Sequence, residues 1–249
     1  MATALALLAG CAAPQQTPAE AGSSELTFND VASTLFEKCS SCHRPDESVP
    51  FVLMSYADAE SRAVEISRVV RSREMPPWLP ADGELEFEND RRLSDEEIEL
   101  IRLWVKQGAP EGDPARAPAP PEAAGEIPRD EAGVSVVRID SGSIDIPAGA
   151  AEHVVSESWR LPDAAELLGL ELRAHDLCAA IEVTAVAPGG GRTTLLRIDD
   201  WRLDLSEPYR YRQPVPLEAG TTIEVRFGYD TSDGPGLADE IAALSLRLK

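Results

Sequence analysis

The sequence predicts a multidomain chain, with a small all-α domain followed by an all-β, jelly-roll-like antiparallel sandwich. Three observations carry that expectation. Apolar residues recur at helical spacing between residues 25 and 112, and residues 113–132 are rich in Pro, Ala and Glu. From residue 133 to 249 the period changes to two, with Gly/Pro/Asp turns between the alternating runs. A chain of 249 residues suits two modest domains at a soft prior of roughly 150 residues each.

The elements follow in order. Residues 28–38 place Val31, Leu35 and Phe36 on one helical face, with Asn29 or Asp30 available as the N-cap. Residues 55–73 repeat the pattern through Ala59, Ala63, Ile66, Val69 and Val70. Ser94-Asp95-Glu96-Glu97 reads as a capping box ahead of Ile98, Ile101, Trp104 and Val105, and Gly108 with Pro110 ends that helix. The run Ala117-Pro118-Ala119-Pro120-Pro121 marks a semi-extended linker. Beyond it, alternating runs begin near Val134, Ala180, Thr194, Thr222 and Leu244, and about seven short strands make a sandwich.

The charge count is 23 basic against 44 acidic residues, a net charge of −21 spread over both halves. Phosphate backbones repel such a chain, so nucleic acid is excluded as a partner. No run of about 18 apolar residues occurs that could span a bilayer. Residues 1–10 are apolar and end in small residues, the form of a signal peptide, although no basic residue precedes the run. Leu8-Ala9-Gly10-Cys11 resembles the lipobox of bacterial lipoproteins. That resemblance implies lipidation at Cys11, a tether over residues 11–24 and a place on the periplasmic face of a bacterial membrane.

Four cysteines occur: Cys11, Cys39, Cys42 and Cys178. With Cys11 lipidated and Cys39 and Cys42 used together, Cys178 has no partner, so disulfides do not organise the fold. Cys39-Ser40-Ser41-Cys42-His43 is the C-x-x-C-H signature of covalent haem attachment. Two thiols three residues apart reach one porphyrin, and the adjacent histidine supplies the proximal iron ligand. The competing readings are a redox dithiol, which wants a βαβ context, and half a zinc site, which wants a second ligand pair. For the distal ligand the candidates are Met54 and Met75. Met54 lies in an apolar stretch that suits a core methionine, whereas Met75 is followed by Pro76 and Pro77, which stiffen a non-helical loop.

Residues 25–112 resemble the monohaem cytochrome c domains of bacterial multidomain proteins. The matching stretches are Cys39–His43 with Arg44-Pro45, Arg73-Glu74-Met75-Pro76-Pro77-Trp78, the run from Asn89 to Glu97, and Trp104 to Pro110. The resemblance implies one covalent haem c on Cys39 and Cys42, with His43 and Met75 as axial ligands.

Residues 144–249 resemble, more loosely, the C-terminal β-sandwich of copper type II, ascorbate-dependent monooxygenases related to peptidylglycine hydroxylating monooxygenase. Those enzymes hold copper with a His-x-His pair and a later methionine. Here His175 stands alone: one register puts Arg173 in the first histidine place, the other puts Leu177 in the second. Ile241 occupies the methionine place. The copper ligands are lost, so copper is not expected. His175, Asp176 and Cys178, read as parts of one strand, scatter over both faces and suit a structural histidine and a buried thiol. His153 is expected at the surface, and Asp230-Thr-Ser-Asp-Gly234 reads as a turn, not a calcium loop. The resulting expectation is an exported, membrane-tethered c-type cytochrome. It passes single electrons to a redox partner protein, and the sandwich serves as an accessory or docking domain. The alternative is a haem-fed copper monooxygenase or a subunit of one.

Overall fold

The computed structural model describes residues 25–45, 49–119 and 132–249. The signal peptide, Cys11, the tether and most of the linker lie outside these residues. The expected fold class, a small all-α domain followed by an all-β sandwich, is not the one that results. Among the described residues the chain is mostly β, with ten strands in three antiparallel sheets and four short α-helices.

The helices are α1 (Phe28–Lys38), α2 (Tyr56–Ser61), α3 (Ala63–Arg71) and α4 (Asp95–Lys106). The cap of α1 is Thr27, two or three residues earlier than expected, and its N–H and hydroxyl both donate to Asp30 Oδ2, at 2.8 and 3.0 Å. The single helix expected over 55–73 is broken at Arg62 (φ −121°, ψ 7°). Ser61 Oγ donates to the Asp58 carbonyl at 2.9 Å, and Arg62 N–H reaches back only to Ala59, a tight last turn. Side-chain hydrogen bonds of this kind compete with the helical ladder. The capping box of α4 forms as read: Ser94 Oγ accepts from Glu97 N–H at 3.1 Å, and Glu97 Oε2 accepts from Ser94 N–H at 2.7 Å. Gly108, at φ +92°, then turns the chain out of the helix. Ser94→Ala is expected to cost about 1 kcal/mol, read as a lower midpoint in urea with an unchanged slope. Phe28, Leu35, Ile66, Ile101 and Trp104 form one apolar cluster between the helices.

The strands are β1 (Ser135–Asp140), β2 (Ile144–Ile146), β3 (His153–Arg160), β4 (Ala165–Arg173), β5 (Cys178–Val186), β6 (Arg192–Ile198), β7 (Tyr209–Leu217), β8 (Thr222–Tyr229), β9 (Leu237–Glu240) and β10 (Ala243–Leu248). One sheet has the order β1-β10-β4-β7, the facing one β3-β8-β5-β6, and β2 pairs with β9. Alternation sets the inner faces: Ile223, Val225 and Phe227 of β8 are fully buried, while Glu224 and Arg226 between them are not. Leu167, Leu170, Leu244 and Leu246 of the other sheet complete the core.

The segment between α3 and α4 joins the two parts. It carries no helix, and it docks on the sandwich. Ala81 N–H donates to the Arg197 carbonyl (2.7 Å), Glu88 N–H to the Arg210 carbonyl (2.8 Å), and Arg212 N–H to the Glu86 carbonyl (2.8 Å). Phe87 sits in the sandwich core, stacked on Tyr211 at 5.1 Å, with Trp78, Leu79 and Leu85 packed beside it. The physical reason is local. Glu84-Leu85-Glu86-Phe87-Glu88 alternates with period two, so its apolar residues share one side of an extended chain and are buried against a sheet, not in a helical core.

Candidate functional site

The C-x-x-C-H motif forms a single tight turn at the end of α1. Cys39 N–H still bonds the Leu35 carbonyl at 2.9 Å, and the Cys39 carbonyl then accepts from both Cys42 N–H (3.2 Å) and His43 N–H (2.9 Å). The turn is stitched to the following loop. Buried Ser40 donates its hydroxyl to the Leu53 carbonyl at 2.5 Å, Leu53 N–H donates to the His43 carbonyl at 2.8 Å, and Arg44 Nε donates to the Ser40 carbonyl at 3.1 Å. Both thiols are free, Cys39 half-buried against the helical cluster and Cys42 exposed.

His43 lies 3.0 Å, through Nδ1, from the Phe51 carbonyl, and its ring stacks on Phe51 at 4.4 Å and 24°. A carbonyl only accepts, so Nδ1 carries the proton and the lone pair of the neutral ring is left on Nε2. That arrangement orients an imidazole for metal ligation through Nε2. Burial, reinforced by the neighbouring Cys42, pushes the Cys39 thiol up to about 12. Among the described residues no three His, Cys, Asp or Glu side chains gather round one point that could hold a bare metal ion. Two thiols and an oriented imidazole spread along one turn fit a flat macrocycle with separate points of attachment.

The structure brings Cys39, Cys42 and His43 together in one turn and places Met75 elsewhere, on a cleft of about 280 Å³ after α3. Val70, Leu93, Ile98, Trp78 and Pro80 also line that cleft. Met75 is 39% exposed, so its thioether is not used up in packing. Met54, expected in the core, is half-buried beside the start of α2, where its N–H donates to Asp58 Oδ2 at 3.0 Å. The Arg91 guanidinium sits 6.0 Å over the ring of Trp78, which lines the same cleft as Met75.

Arg91 is a residue that reading the sequence missed. Its Nη1 and Nη2 fork onto Glu207 at 2.8 and 2.6 Å, and Asn89 Nδ2 donates to Glu207 and to the Pro208 carbonyl, both at 3.1 Å. Burial acts to lower the Arg91 pKa, but the hydrogen bonds and charge of Glu207 outweigh it and hold the group above its ordinary value. Glu207→Ala strands a largely buried guanidinium and is expected to cost roughly 1–3 kcal/mol in a denaturant melt, with Glu207→Gln recovering part of it. Beside this pair, Trp78 Nε1, Arg91 Nε and Tyr209 Oη are buried without a hydrogen-bond partner. No short motif announces them, because they come from segments more than a hundred residues apart.

No protein-family model matches this chain, and no curated protein does. Solved structures give faint likenesses only. The VP2 subviral particle of infectious bursal disease virus is 13% identical, with a TM-score of 0.27, over 52% of this chain and 38% of that one. The Gx strain structure of the same virus gives 10% and 0.29 over 52% and 37%. A two-domain protein from Bacteroides fragilis gives 15% and 0.26 over 46% and 42%. The chain thus spans about two fifths of these proteins' length, and the likenesses carry no functional weight.

In the sandwich, His175 and Asp176 are not on a strand as expected; they lie in the turn between β4 and β5. His175 Nδ1 accepts the Leu177 N–H at 3.1 Å, its carbonyl accepts the Cys178 N–H at 2.9 Å, and Asp176 Oδ1 accepts the Leu203 N–H at 3.2 Å. Cys178 is buried at the start of β5, and burial pushes its thiol up to about 12. Arg173 ends β4 opposite Ala243, while Ile241 is exposed in the turn before β10. His153, expected at the surface, is half-buried as the first residue of β3, opposite Tyr229. Asp230 accepts from Ser232 N–H and Oγ at 2.9 and 2.6 Å, the geometry of an Asx turn.

Proposed function

We propose that this chain is an electron-transfer protein carrying one covalent haem c on Cys39 and Cys42, with His43 as proximal and Met75 as distal iron ligand. A bound haem supplies a reversible one-electron iron couple. The observation that supports this best is the Cys39–His43 turn, in which the Phe51 carbonyl fixes the His43 tautomer. The Arg44 and Ser40 bonds hold the turn while α1 anchors its start, so the ligand imidazole is carried on a braced loop. Met75, beside two prolines, offers a polarisable thioether at the cleft. The proposal includes a lipid anchor at Cys11, a periplasmic membrane face and a redox protein as partner.

The test is expression with a c-type haem maturation system. One haem per chain that survives acid–solvent extraction, with a reversible one-electron wave, is the expected result; a colourless chain overturns it. The copper-monooxygenase reading has little to build on, because His175 Nδ1 is already engaged by a backbone N–H. Copper(II) titration is expected to find no tight site. A tight one-to-one site with ascorbate-dependent hydroxylation of a glycine-extended peptide would restore the oxygenase.

A further inference from the structure

We infer that the sandwich helps to hold the haem: Trp78 Nε1, Arg91 Nε and Tyr209 Oη, at the seam where residues 78–91 meet β7, bind the carboxylates of the macrocycle. This rests on the haem reading above but goes beyond it, since it gives the sandwich a side chain in the cofactor site.

The three groups form one neighbourhood. The Trp78 and Tyr209 rings meet edge to face at 5.7 Å, and the Arg91 guanidinium lies 6.0 Å over Trp78. Tyr209 is 1% exposed, and all three polar atoms are buried with no acceptor. A buried donor without an acceptor is costly, and native folds keep few of them. Three in one place call for a hydrogen-bond acceptor, and a carboxylate, with several lone pairs on two oxygens, can serve them together. Glu207 does not fill that role: it takes the Nη1 and Nη2 fork of Arg91 and leaves Nε free. Trp78 also lines the cleft that holds Met75, so this neighbourhood adjoins the distal methionine. A flat, apolar ring with acidic substituents at one edge matches that layout.

A second orphaned indole does not compete. Trp201 Nε1 is also buried without a partner, but it lines a cleft whose charged groups are Asp176, Asp200, Asp230 and Asp233, which would repel a carboxylate and which hold no metal-binding cluster.

The test titrates the unloaded full chain with haemin and with haemin dimethyl ester, while haem content after maturation separately reports on covalent attachment. The diacid is expected to bind about tenfold or more tightly than the ester, the discrimination that charge-assisted hydrogen bonds provide. Tyr209→Phe and Trp78→Phe, each checked for an unchanged circular-dichroism melt, should each shrink that ratio about threefold. In matured protein, Tyr209→Phe should shift the propionate bending band in resonance Raman at full haem content. Equal binding of acid and ester, no binding of either, or a ratio unmoved in both variants overturns the inference. A chain that discriminates acid from ester yet takes up no covalent haem supports it while removing the attachment proposal.

Discussion

Haem staining of the denatured chain is expected to disappear when Cys39 and Cys42 are both replaced by serine. Thioether bonds alone keep a haem on an unfolded polypeptide, so the loss should run from one pigment per chain to none after acid–solvent extraction. Each single variant should keep one thioether and a reduced yield, with Cys39→Ser also disturbing the helical cluster against which that side chain packs. Cys42 is exposed, so Cys42→Ser should leave the melting transition of the unloaded chain within roughly 0.5 kcal/mol. Cys178→Ser tests specificity. That thiol is buried in the sandwich and should affect stability but not pigment. Staining that persists in the double variant, or vanishes with Cys178, would remove the attachment site from the Cys39–His43 turn.

Met75→Ala is expected to turn a low-spin haem into a high-spin or water-ligated one, and to lower the reduction potential. Thioether ligation raises haem potentials, and axial ligands set them over a span of roughly 0.8 V, so losing the thioether should be among the largest functional effects available to one substitution. Stability should change little, since Met75 is 39% exposed. Met54→Ala is the control. Met54 is half-buried and outside the helical cluster, so its truncation should cost less than the roughly 2–5 kcal/mol of a core methionine and leave the spectrum intact. If the spectral change follows Met54 instead, the distal assignment moves with it. An unchanged spectrum in both variants would point to an open or water-bound iron.

Several features were legible because they are local. The α4 capping box depends on Ser94 and Glu97, three residues apart, and it forms as read. The strands from Thr222 and Leu244 announced themselves by alternation, and the Asp230 turn by its composition. Where two local signals competed, reading along the chain went astray. Residues 55–73 have continuous helical periodicity, yet the Ser61 hydroxyl takes a carbonyl from the ladder and two helices result. The His175-Asp176 pair was read as strand, but the imidazole accepts a backbone N–H two residues on and closes a turn.

The fold class is where sequence reading went astray. Helical periodicity in residues 25–112 suggested a self-contained all-α domain, and it gave too little weight to the alternation of residues 84–88. That short run sends Phe87 into the sandwich core, and among the described residues the chain is mostly β with four short helices.

By itself the sequence determined the C-x-x-C-H turn, the two candidate methionines, the lone His175 and the alternation of the sandwich, because each is a matter of residue type at short spacing. Only the tertiary structure decided that the Phe51 carbonyl sets the His43 tautomer, that Arg91 forks onto Glu207, and that Trp78 and Tyr209 meet with their polar atoms unpaired. Those relations join residues from 8 to more than 100 positions apart. No periodicity encodes them; they arise when the sheet edge buries the apolar side of residues 78–91 and carries the polar groups on that segment to the seam with it.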